Sequence, residues 1–321
     1  MSLIYAFTHT FASYVLFGGM FVYLTYLVCS KLLSNRCSKL RSGFMWFALL
    51  IPFITYFALK VLFPRIGNYH DNLISGTFWF TLFDLACQVG YWTSLILTPL
   101  VFAWVAVIGI RIFYVFLSGH KFRQINRTAR KEDYHQLFSM IDEGAARLGI
   151  KSPEVFVLAG WPDTFTFGIF RPAVVFGEDM LGLDDQDLRA VIAHELAHIY
   201  RKDALLSVIA AFMRDLMFFS PISHWAFNGL MTAKEEMADD IASKLVGDRL
   251  QYGSTLIKVW KLFNGGNGSV NHNVYPAMGM TQGNLTRRVE RLVNPGRMTA
   301  LPKITFLVMG LVIINLLSFI C

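Results

Sequence analysis

Two histidines and a glutamate in one short segment, AVIAHELAHIYRKD (190–203), are the residue types here that could do chemistry. His194 and His198 are four positions apart, so on a helix both imidazoles lie on one face and can bind one metal ion. Catalytic zinc takes three protein ligands and binds a water molecule, whose pKa it lowers to about 7. Glu195 follows the first histidine and is placed to accept the proton of that water. The segment predicts a hydrolytic zinc site, with a surface helix carrying two unrelated histidines as the alternative.

A third metal ligand must come from elsewhere in the chain. None of the eight histidines forms the short His-x-x-Gly-x-x-His extension that would supply a third one nearby. In KEEMADD (234–240), Glu235 and Asp239 are four apart on one helical face, which suits Glu235 as ligand and Asp239 as the group that orients a ligand histidine. Two alternatives stay open on the residues alone. Glu236 could be the ligand, or Glu235 could be the capping-box partner of Thr232.

The composition of the chain indicates a membrane protein around this site. Hydrophobic residues make up 55% and charged residues 16% of the 321 residues, whereas soluble domains carry about a quarter charged residues. A transmembrane helix needs about 20 mainly apolar residues. Four stretches meet this requirement: 11–29, 44–63, 94–117 and 304–321. Arg111, at the inner end of the third stretch, is expected to snorkel to the interface. We therefore predict an α-helical integral membrane protein with four transmembrane helices.

The distribution of basic residues predicts the orientation of these spans. Lys and Arg are concentrated in three segments, 31–43, 118–131 and 287–303, whereas 64–93 carries few. By the positive-inside rule, both termini lie outside and the long segment after the third span lies in the cytosol. The basic segments at the cytoplasmic face then account for the net charge of +7. Anionic lipid headgroups are their expected partner, and no nucleic-acid partner is expected. The four cysteines form no Cys-x-x-Cys pair, so no disulfide framework is expected.

The predicted organisation has three parts: a three-helix transmembrane region over 1–117, a cytosolic α+β domain over 118–303, and a last transmembrane helix over 304–321. The domain begins with the predicted elements 132–150 (an amphipathic helix) and 154–159, 164–168 and 173–177 (short strands). Asp184 and Asp187 predict the N-terminus of the helix that carries the histidines. The apolar segment after Asp203 is predicted to be a helix, either buried or lying in the membrane surface, until Pro221 breaks it. A further helix is predicted to begin at Thr232 and to end at Gly247.

Three segments, AVIAHELAHIYRKD, FFSPISHWAF and EEMAD, together resemble the membrane-bound gluzincin peptidases typified by the BlaR/MecR sensor-transducers of β-lactam resistance. HtpX-type quality-control proteases and CAAX-processing proteases are more distantly similar. The resemblance covers roughly 150–292 and implies a zincin-like metallopeptidase domain with one Zn²⁺ per chain. The family motif falls on His194, Glu195, His198, Asp203, Glu235, Ala238 and Asp239. This alignment favours Glu235 over Glu236 as the third ligand.

The resemblance also implies residues that contact the substrate. FTFGIFRPAVVF (165–176) is similar to a strand pair whose exposed edge is thought to bind substrate as an added strand, which implies contacts at Phe167 and Gly168. A purely structural hairpin is the alternative. NLTRRVERL (284–292) resembles an arginine segment near the end of such domains, which makes Arg288 a substrate-binding candidate, although a lipid-headgroup contact explains it equally well.

The chain departs from the β-lactam sensors in one respect. It stops at Cys321, where the last predicted span ends, so we expect no extracellular penicillin-binding domain and do not transfer the antibiotic trigger. The expected function is that of a multi-pass zinc endopeptidase of the bacterial inner membrane. Its expected substrate is a cytosolic or membrane-proximal protein or peptide, cleaved in regulation or signalling. The alternatives are an HtpX-like quality-control protease and a catalytically silent membrane scaffold. The oligomeric state is not predicted.

Overall fold

The computed structural model describes residues 15, 18–32, 38–57, 92, 103, 105–114, 117–125, 128–161, 163–265 and 282–294. The first helices are α1 (Gly19–Leu32), α2 (Ser38–Phe57), α3 (Val105–Ile125) and α4 (His135–Leu148). Three short strands follow, β1 (Glu154–Leu158), β2 (Phe165–Phe167) and β3 (Ala173–Gly177), and then a 3₁₀ turn, Glu178–Gly182. The remaining helices are α5 (Asp185–Tyr200), α6 (Asp203–Leu216), α7 (Pro221–Val246), α8 (Arg249–Gly265) and α9 (Gln282–Val293). The described structure is thus mainly helical with one small sheet, as predicted.

The chain divides into two compact units, one containing residues 209–233 together with the N-terminal helices, the other containing 113–208 and 234–296. In the first unit, α1 and α2 share an apolar core with residues of 209–233, among them Met217, Ala226 and Leu230. The packing in this core is close at Gly229, where a Cβ would lie 2.9 Å from the end of the Met45 side chain. The segment 209–233 therefore contributes apolar side chains to the same core as α1 and α2.

The second unit is built on a three-stranded sheet in the order β1-β3-β2, with β1 parallel and β2 antiparallel to β3. Side chains alternate between the faces of a strand, and β3 is buried on both. On one face, Val174 and Phe176 pack with apolar residues of α4 and α5. On the other, Val175 packs with Phe122 and with the phenylalanines of β2. The predicted helix over 132–150 and all three predicted strands are confirmed.

Among the described residues, one helix, α3, is long and apolar enough to cross a membrane by length and composition. It overlaps the predicted span 94–117. Helices α1 and α2 overlap the predicted spans 11–29 and 44–63 in part, and 304–321 lies outside the described residues. The four-span arrangement and the boundaries of the three predicted parts stay predictions.

Two predicted helix boundaries in the segment 203–246 are wrong. The helix after Asp203 ends at Leu216, and Pro221 opens α7 instead of breaking a helix. Proline is tolerated in the first turn of a helix because the N–H that it lacks has no partner there in any case. Thr232 does not begin a helix, since it lies inside α7 and its hydroxyl donates to the Asn228 carbonyl at 2.9 Å. The predicted end is confirmed: Gly247 has a φ of 92° and follows the last residue of α7.

Candidate metal centre

Helix α5 carries the His-Glu-x-x-His segment and is anchored at its N-terminus. The Asp184 side chain caps the helix by accepting from the Asp187 backbone N–H at 2.9 Å. Side chains of α8 hold Asp187 in turn, because Thr255 and Lys258 both donate to its carboxylate. Apolar contacts of Leu188, Ile192 and Leu196 bury the helix against α4 and β3. The helix is therefore fixed along most of its length.

The three motif side chains are buried, with exposed fractions of 5% for His194, 2% for Glu195 and 9% for His198. This excludes a surface helix with two unrelated histidines. The two Nε2 atoms of His194 and His198 are 3.1 Å apart, so both imidazoles face one point. The other ring nitrogen of each histidine, Nδ1, faces a different polar side chain.

Glu235, on α7, completes a triangle with the histidines. Its Oε2 lies 3.5 Å from Nε2 of His194 and 3.8 Å from Nε2 of His198, and the three potential ligand atoms all lie within 4.8 Å of one another. Ligand atoms at the corners of a tetrahedron with bonds near 2.1 Å are about 3.4 Å apart, so these separations suit one small metal ion. Two histidines and one carboxylate form a donor set typical of catalytic zinc.

The two alternatives for Glu235 do not fit the structure. Glu236 is fully buried and accepts hydrogen bonds from Arg287, with Nε at 2.8 Å, so it is not the glutamate that meets the histidines. A capping box with Thr232 is excluded because that residue lies eleven positions inside α7, which begins at Pro221. Of the candidates that the sequence left open, the structure brings only Glu235 to the histidines.

Both histidines have partners that fix the orientation of their rings. Nδ1 of His198 lies 2.7 Å from Oδ2 of Asp203, and Arg201 Nε donates to the same carboxylate at 3.1 Å. Nδ1 of His194 lies 2.9 Å from the Tyr252 hydroxyl on α8. Such partners set the tautomer of a metal-binding histidine and raise its basicity. We assigned no role to Asp203 from the sequence beyond its place in the family motif, and nothing in the local pattern pointed to Tyr252.

A buried ion pair supports the Tyr252 hydroxyl. That hydroxyl donates to Asp239 Oδ1 at 2.7 Å, and Asp239 lies 3.3 Å from Nδ1 of His194, which agrees with its predicted orienting position. Arg288 of α9 holds Asp239 from behind, with Nε and Nη2 donating at 2.8 and 2.7 Å. Arg288 is only 5% exposed, and its Nε and Nη2 both donate to this carboxylate. The structure thus places it behind Tyr252 and Asp239, and its contact with substrate stays a prediction.

The electrostatics of the cluster favour a cation between these groups. Burial opposes the charged form of His194, but hydrogen bonds with Asp239 and Glu235 outweigh it and raise the pKa of His194 to about 9. Burial lowers the pKa of His198. Burial would raise the pKa of Glu235, yet the hydrogen bond and charges of the histidines hold it well below its usual range. Glu235 is thus ionised at neutral pH. Its negative charge is balanced either by a protonated His194 or by a metal ion bound between Glu235 and the two histidines.

Glu195 lies in the cleft beside these ligands. The cleft is lined by Thr164, Phe165 and Thr166 together with His194, Glu195, His198, Asp203 and Glu235. Burial raises the pKa of Glu195 to about 8, which makes it a stronger base than an exposed glutamate. A bound metal ion would lower this pKa through its charge. Glu195 can therefore exchange a proton with water near neutral pH.

Two further polar residues line the site without having been predicted. Burial raises the pKa of Asp163 to about 6, and its carboxylate accepts the Thr164 N–H at 2.7 Å. The Thr164 hydroxyl is buried and has no hydrogen-bond partner among the described residues. Both residues line a small cavity that also contains His194 and Glu195. No sequence pattern singled them out, because only the path of the chain into β2 brings them to α5.

The two predicted substrate contacts of the hairpin, Phe167 and Gly168, are not among the residues that line the cleft. Among the described residues, β2 pairs only with β3, so its second edge is open, as substrate addition requires. Thr164, Phe165 and Thr166 line the cleft, whereas Phe167 packs against Phe122 on the other face of the sheet. Gly168 has a φ of 90° and forms the turn after β2. Of the hairpin, the start of β2 thus borders the cleft, and the contacts of Phe167 and Gly168 with substrate stay predictions.

Comparison with known proteins agrees with this site. The family described as BlaR1 peptidase M56 matches residues 19–292. The regulatory protein BlaR1 of Bacillus licheniformis is 21% identical over 160 residues, which are 48% of this chain and 26% of that protein. A protease HtpX homolog of Ralstonia pickettii (strain 12J) is 33% identical over 101 residues, which are 30% of this chain and 34% of that protein.

A longer alignment joins the chain to a protease HtpX homolog of Pseudarthrobacter chlorophenolicus, which is 27% identical over 233 residues, 60% of this chain and 79% of that protein. The chain spans 26% of the BlaR1 relative and 34% of the Ralstonia relative, which is well under two thirds of either. The family match, by contrast, includes α1, the candidate metal ligands and all of α9 except its last residue. Since it extends over most of the chain, the chain belongs to the BlaR1 peptidase M56 family of metallopeptidases.

Proposed function

We propose that this protein is an integral-membrane, zinc-dependent endopeptidase that cleaves a cytosolic or membrane-proximal protein. The observation that carries the proposal is the convergence of His194, His198 and Glu235 on one point, with Glu195 in the same cleft. A silent scaffold would need neither the ligands nor a buried carboxylate beside them, because a buried acid is costly to retain without a partner or a function.

His194, His198 and Glu235 would hold the zinc ion, which when bound polarises a peptide carbonyl and acidifies water. In our proposal, Glu195 accepts the proton of the attacking water and passes it to the leaving amine. Asp203 and the Tyr252–Asp239 pair keep the two imidazoles oriented, so that both Nε2 atoms stay directed at one point. The ligands and the base lie on α5 and α7, which are rigid elements, and this keeps their geometry fixed.

The membrane arrangement is part of the proposal. We propose four spans, both termini outside, and a peptidase domain over 118–303 at the cytoplasmic face of a bacterial inner membrane. The apolar composition and α3 support this arrangement. Anionic lipid headgroups would contact the basic segments that flank the spans. A protein or peptide substrate would add to the open edge of β2, where main-chain hydrogen bonds give affinity with little demand on sequence.

Removal of the metal tests the proposal directly. In detergent micelles, the full-length protein should contain about one zinc ion per chain and should cleave fluorescein-labelled casein. Treatment with 1,10-phenanthroline should abolish cleavage and added Zn²⁺ should restore it, whereas the non-chelating isomer 1,7-phenanthroline should have no effect. Cleavage that persists at the same rate in zinc-depleted protein would refute a metal-dependent mechanism.

Zinc binding should release a proton from His194. A histidine must be neutral to bind zinc, and the pKa of His194 is raised to about 9, whereas that of His198 is lowered. Between about pH 8 and 9, zinc therefore displaces about one proton from His194, and the apparent affinity should rise about tenfold per pH unit. Below about pH 8, the bound cation also lowers the pKa of Glu195, which adds to the release. Titration calorimetry in buffers of different ionisation enthalpy measures this release. It should fall as the pH passes about 9. A release that stays the same from about pH 8 to 10 would contradict the assignment.

A second candidate is an HtpX-like quality-control protease, which the alignment of 233 residues with a protease HtpX homolog favours. Both functions use the same metal centre, so they differ in the range of substrates. Proteomic comparison of cells that express the wild type or a Glu195→Gln variant would separate them. A regulatory protease should change the abundance of one or a few proteins, whereas a quality-control protease should change many membrane proteins.

A further inference from the structure

We propose that Phe122 and Arg123, in the last turn of α3, are positioning residues that hold β2 at the active-site cleft. The inference rests on the proposed function, because it takes β2 as the strand to which substrate adds. By this inference, α3 supports the strand that binds substrate. Among the described helices, α3 is the one with the length and composition of a membrane span. Neither residue belongs to the His-Glu-x-x-His segment or to the group that could hold the metal.

Strand β2 cannot hold its own position. It has only three residues and pairs on one side with β3, through Phe165–Val175, Thr166–Val174 and Phe167–Ala173. A strand this short gains little from its ladder and depends on side-chain packing across the face of the sheet. All three residues are half-buried, unlike the fully buried β3. The side chains that pack on β2 therefore determine the position of this strand relative to Glu195.

The two faces of β2 meet different partners. Paired residues of an antiparallel ladder point to the same face, so Thr166 lies on the face of Val174, which packs with α5, and Phe165 and Phe167 lie on the face of Val175. Thr164, Phe165 and Thr166 also line the cleft with Glu195. The start of β2 thus borders the catalytic groups, and the face that holds Phe165 and Phe167 rests on an aromatic cluster.

Phe122 lies at the centre of that cluster. Its ring centroid is 5.0 Å from Phe167, 5.4 Å from Phe156 and 6.3 Å from Phe165, and each pair meets nearly edge to face. These are the separations and angles at which aromatic pairs attract one another beyond simple burial. Because Phe156 belongs to β1 and the other two to β2, one side chain of α3 joins both outer strands of the sheet.

Arg123 binds the same strands through charge and backbone. Its guanidinium lies over the Phe167 ring, with Cζ 4.7 Å from the centroid, and its Nε donates to Glu154 of β1 at 2.9 Å. Its Nη2 donates to the Arg171 carbonyl in the turn between β2 and β3. The turn needs a glycine at 168, where φ is 90° and a Cβ would clash with the Arg171 carbonyl oxygen and lie 2.8 Å from the Arg123 Nη2. The guanidinium therefore contacts β1, β2 and the turn at once.

Loss of either side chain should weaken substrate binding and leave the metal centre intact. We expect Phe122→Ala and Arg123→Gln, in the full-length protein in detergent micelles, to raise KM for fluorescein-labelled casein about tenfold with kcat within about twofold. Zinc per chain should stay at the wild-type value. The matched controls are Phe113→Ala and Lys121→Gln, which remove an exposed aromatic ring and an exposed charge from the same helix and should leave KM unchanged.

Hydrogen–deuterium exchange tests the positioning without reference to catalysis. In Phe122→Ala and Arg123→Gln, peptide fragments that cover 163–171 should exchange at least about tenfold faster than in the wild type, whereas fragments of α5 should not change. Unchanged exchange in 163–171, or an equal increase in α5, would overturn the proposal. A wild-type protein that neither binds zinc nor cleaves casein would instead overturn the proposed function, and with it the substrate role of β2. The exchange rates would still decide whether α3 holds the strand.

Discussion

Replacing Glu195 by glutamine should lower kcat for casein cleavage by about a thousandfold, with zinc retained at the wild-type level. Such a loss corresponds to about 4 kcal/mol of transition-state stabilisation, at 1.36 kcal/mol for each factor of ten. The physical reason is that glutamine keeps the size of the side chain but accepts no proton from water. Since Glu195 is not one of the three potential ligands, the metal should stay bound.

The decisive measurements are kcat and zinc content on the same protein sample. Glu178→Gln, which makes the same change at an exposed glutamate away from the cleft, should leave both quantities unchanged. If Glu195→Gln kept most of its activity with zinc bound, another base would be needed. Asp163 would then be the first candidate, because it lines the same cavity as Glu195 and its pKa is raised to about 6.

Replacing Glu235 by glutamine should lower the affinity for zinc by at least about a hundredfold, which exceeds the 10- to 100-fold loss typical of groups that only orient a ligand. Glu235 supplies the one anionic atom of the triangle, and its Oε2 lies 3.5 and 3.8 Å from the two imidazole nitrogens. An amide at this position has no negative charge to offset the cation. Competition with a fluorescent zinc chelator measures the dissociation constant.

The neighbouring residue provides the matched control. Glu236→Gln removes a carboxylate one position further along α7, where the side chain faces Arg287 and Arg291 instead of the histidines. We expect it to keep zinc affinity within about threefold and to lower the thermal stability, because the buried Arg291 loses a nearby negative charge and the exposed Arg287 loses a charged acceptor. If Glu236→Gln instead lost zinc while remaining folded by circular dichroism, and Glu235→Gln kept it, the assignment of the third ligand would be reversed.

Local sequence patterns were sufficient for most of the helices and strands near the site. The Asp184 cap, the short strand predicted over 154–159 and the glycine at 247 depend on patterns within a few residues, and all three features appear in the structure. The errors at Pro221 and Thr232 have one cause. A proline can open a helix as well as end one, and a threonine can either cap a helix or bond back inside it. Tertiary packing of the segment 209–233 decides between these outcomes.

The spacing of His194 and His198 was enough to predict the chemistry of α5, because it forces both onto one helical face and Glu195 follows directly. The same spacing left both Glu235 and Glu236 open, and the family resemblance only favoured the first. Which glutamate faces α5 depends on the packing of α7, because the two differ by one helical step. Tertiary packing also brings Tyr252 to His194 across 58 residues and pairs Arg288 with Asp239. Contacts between residues far apart in the chain depend on how helices pack, and no local pattern encodes that packing.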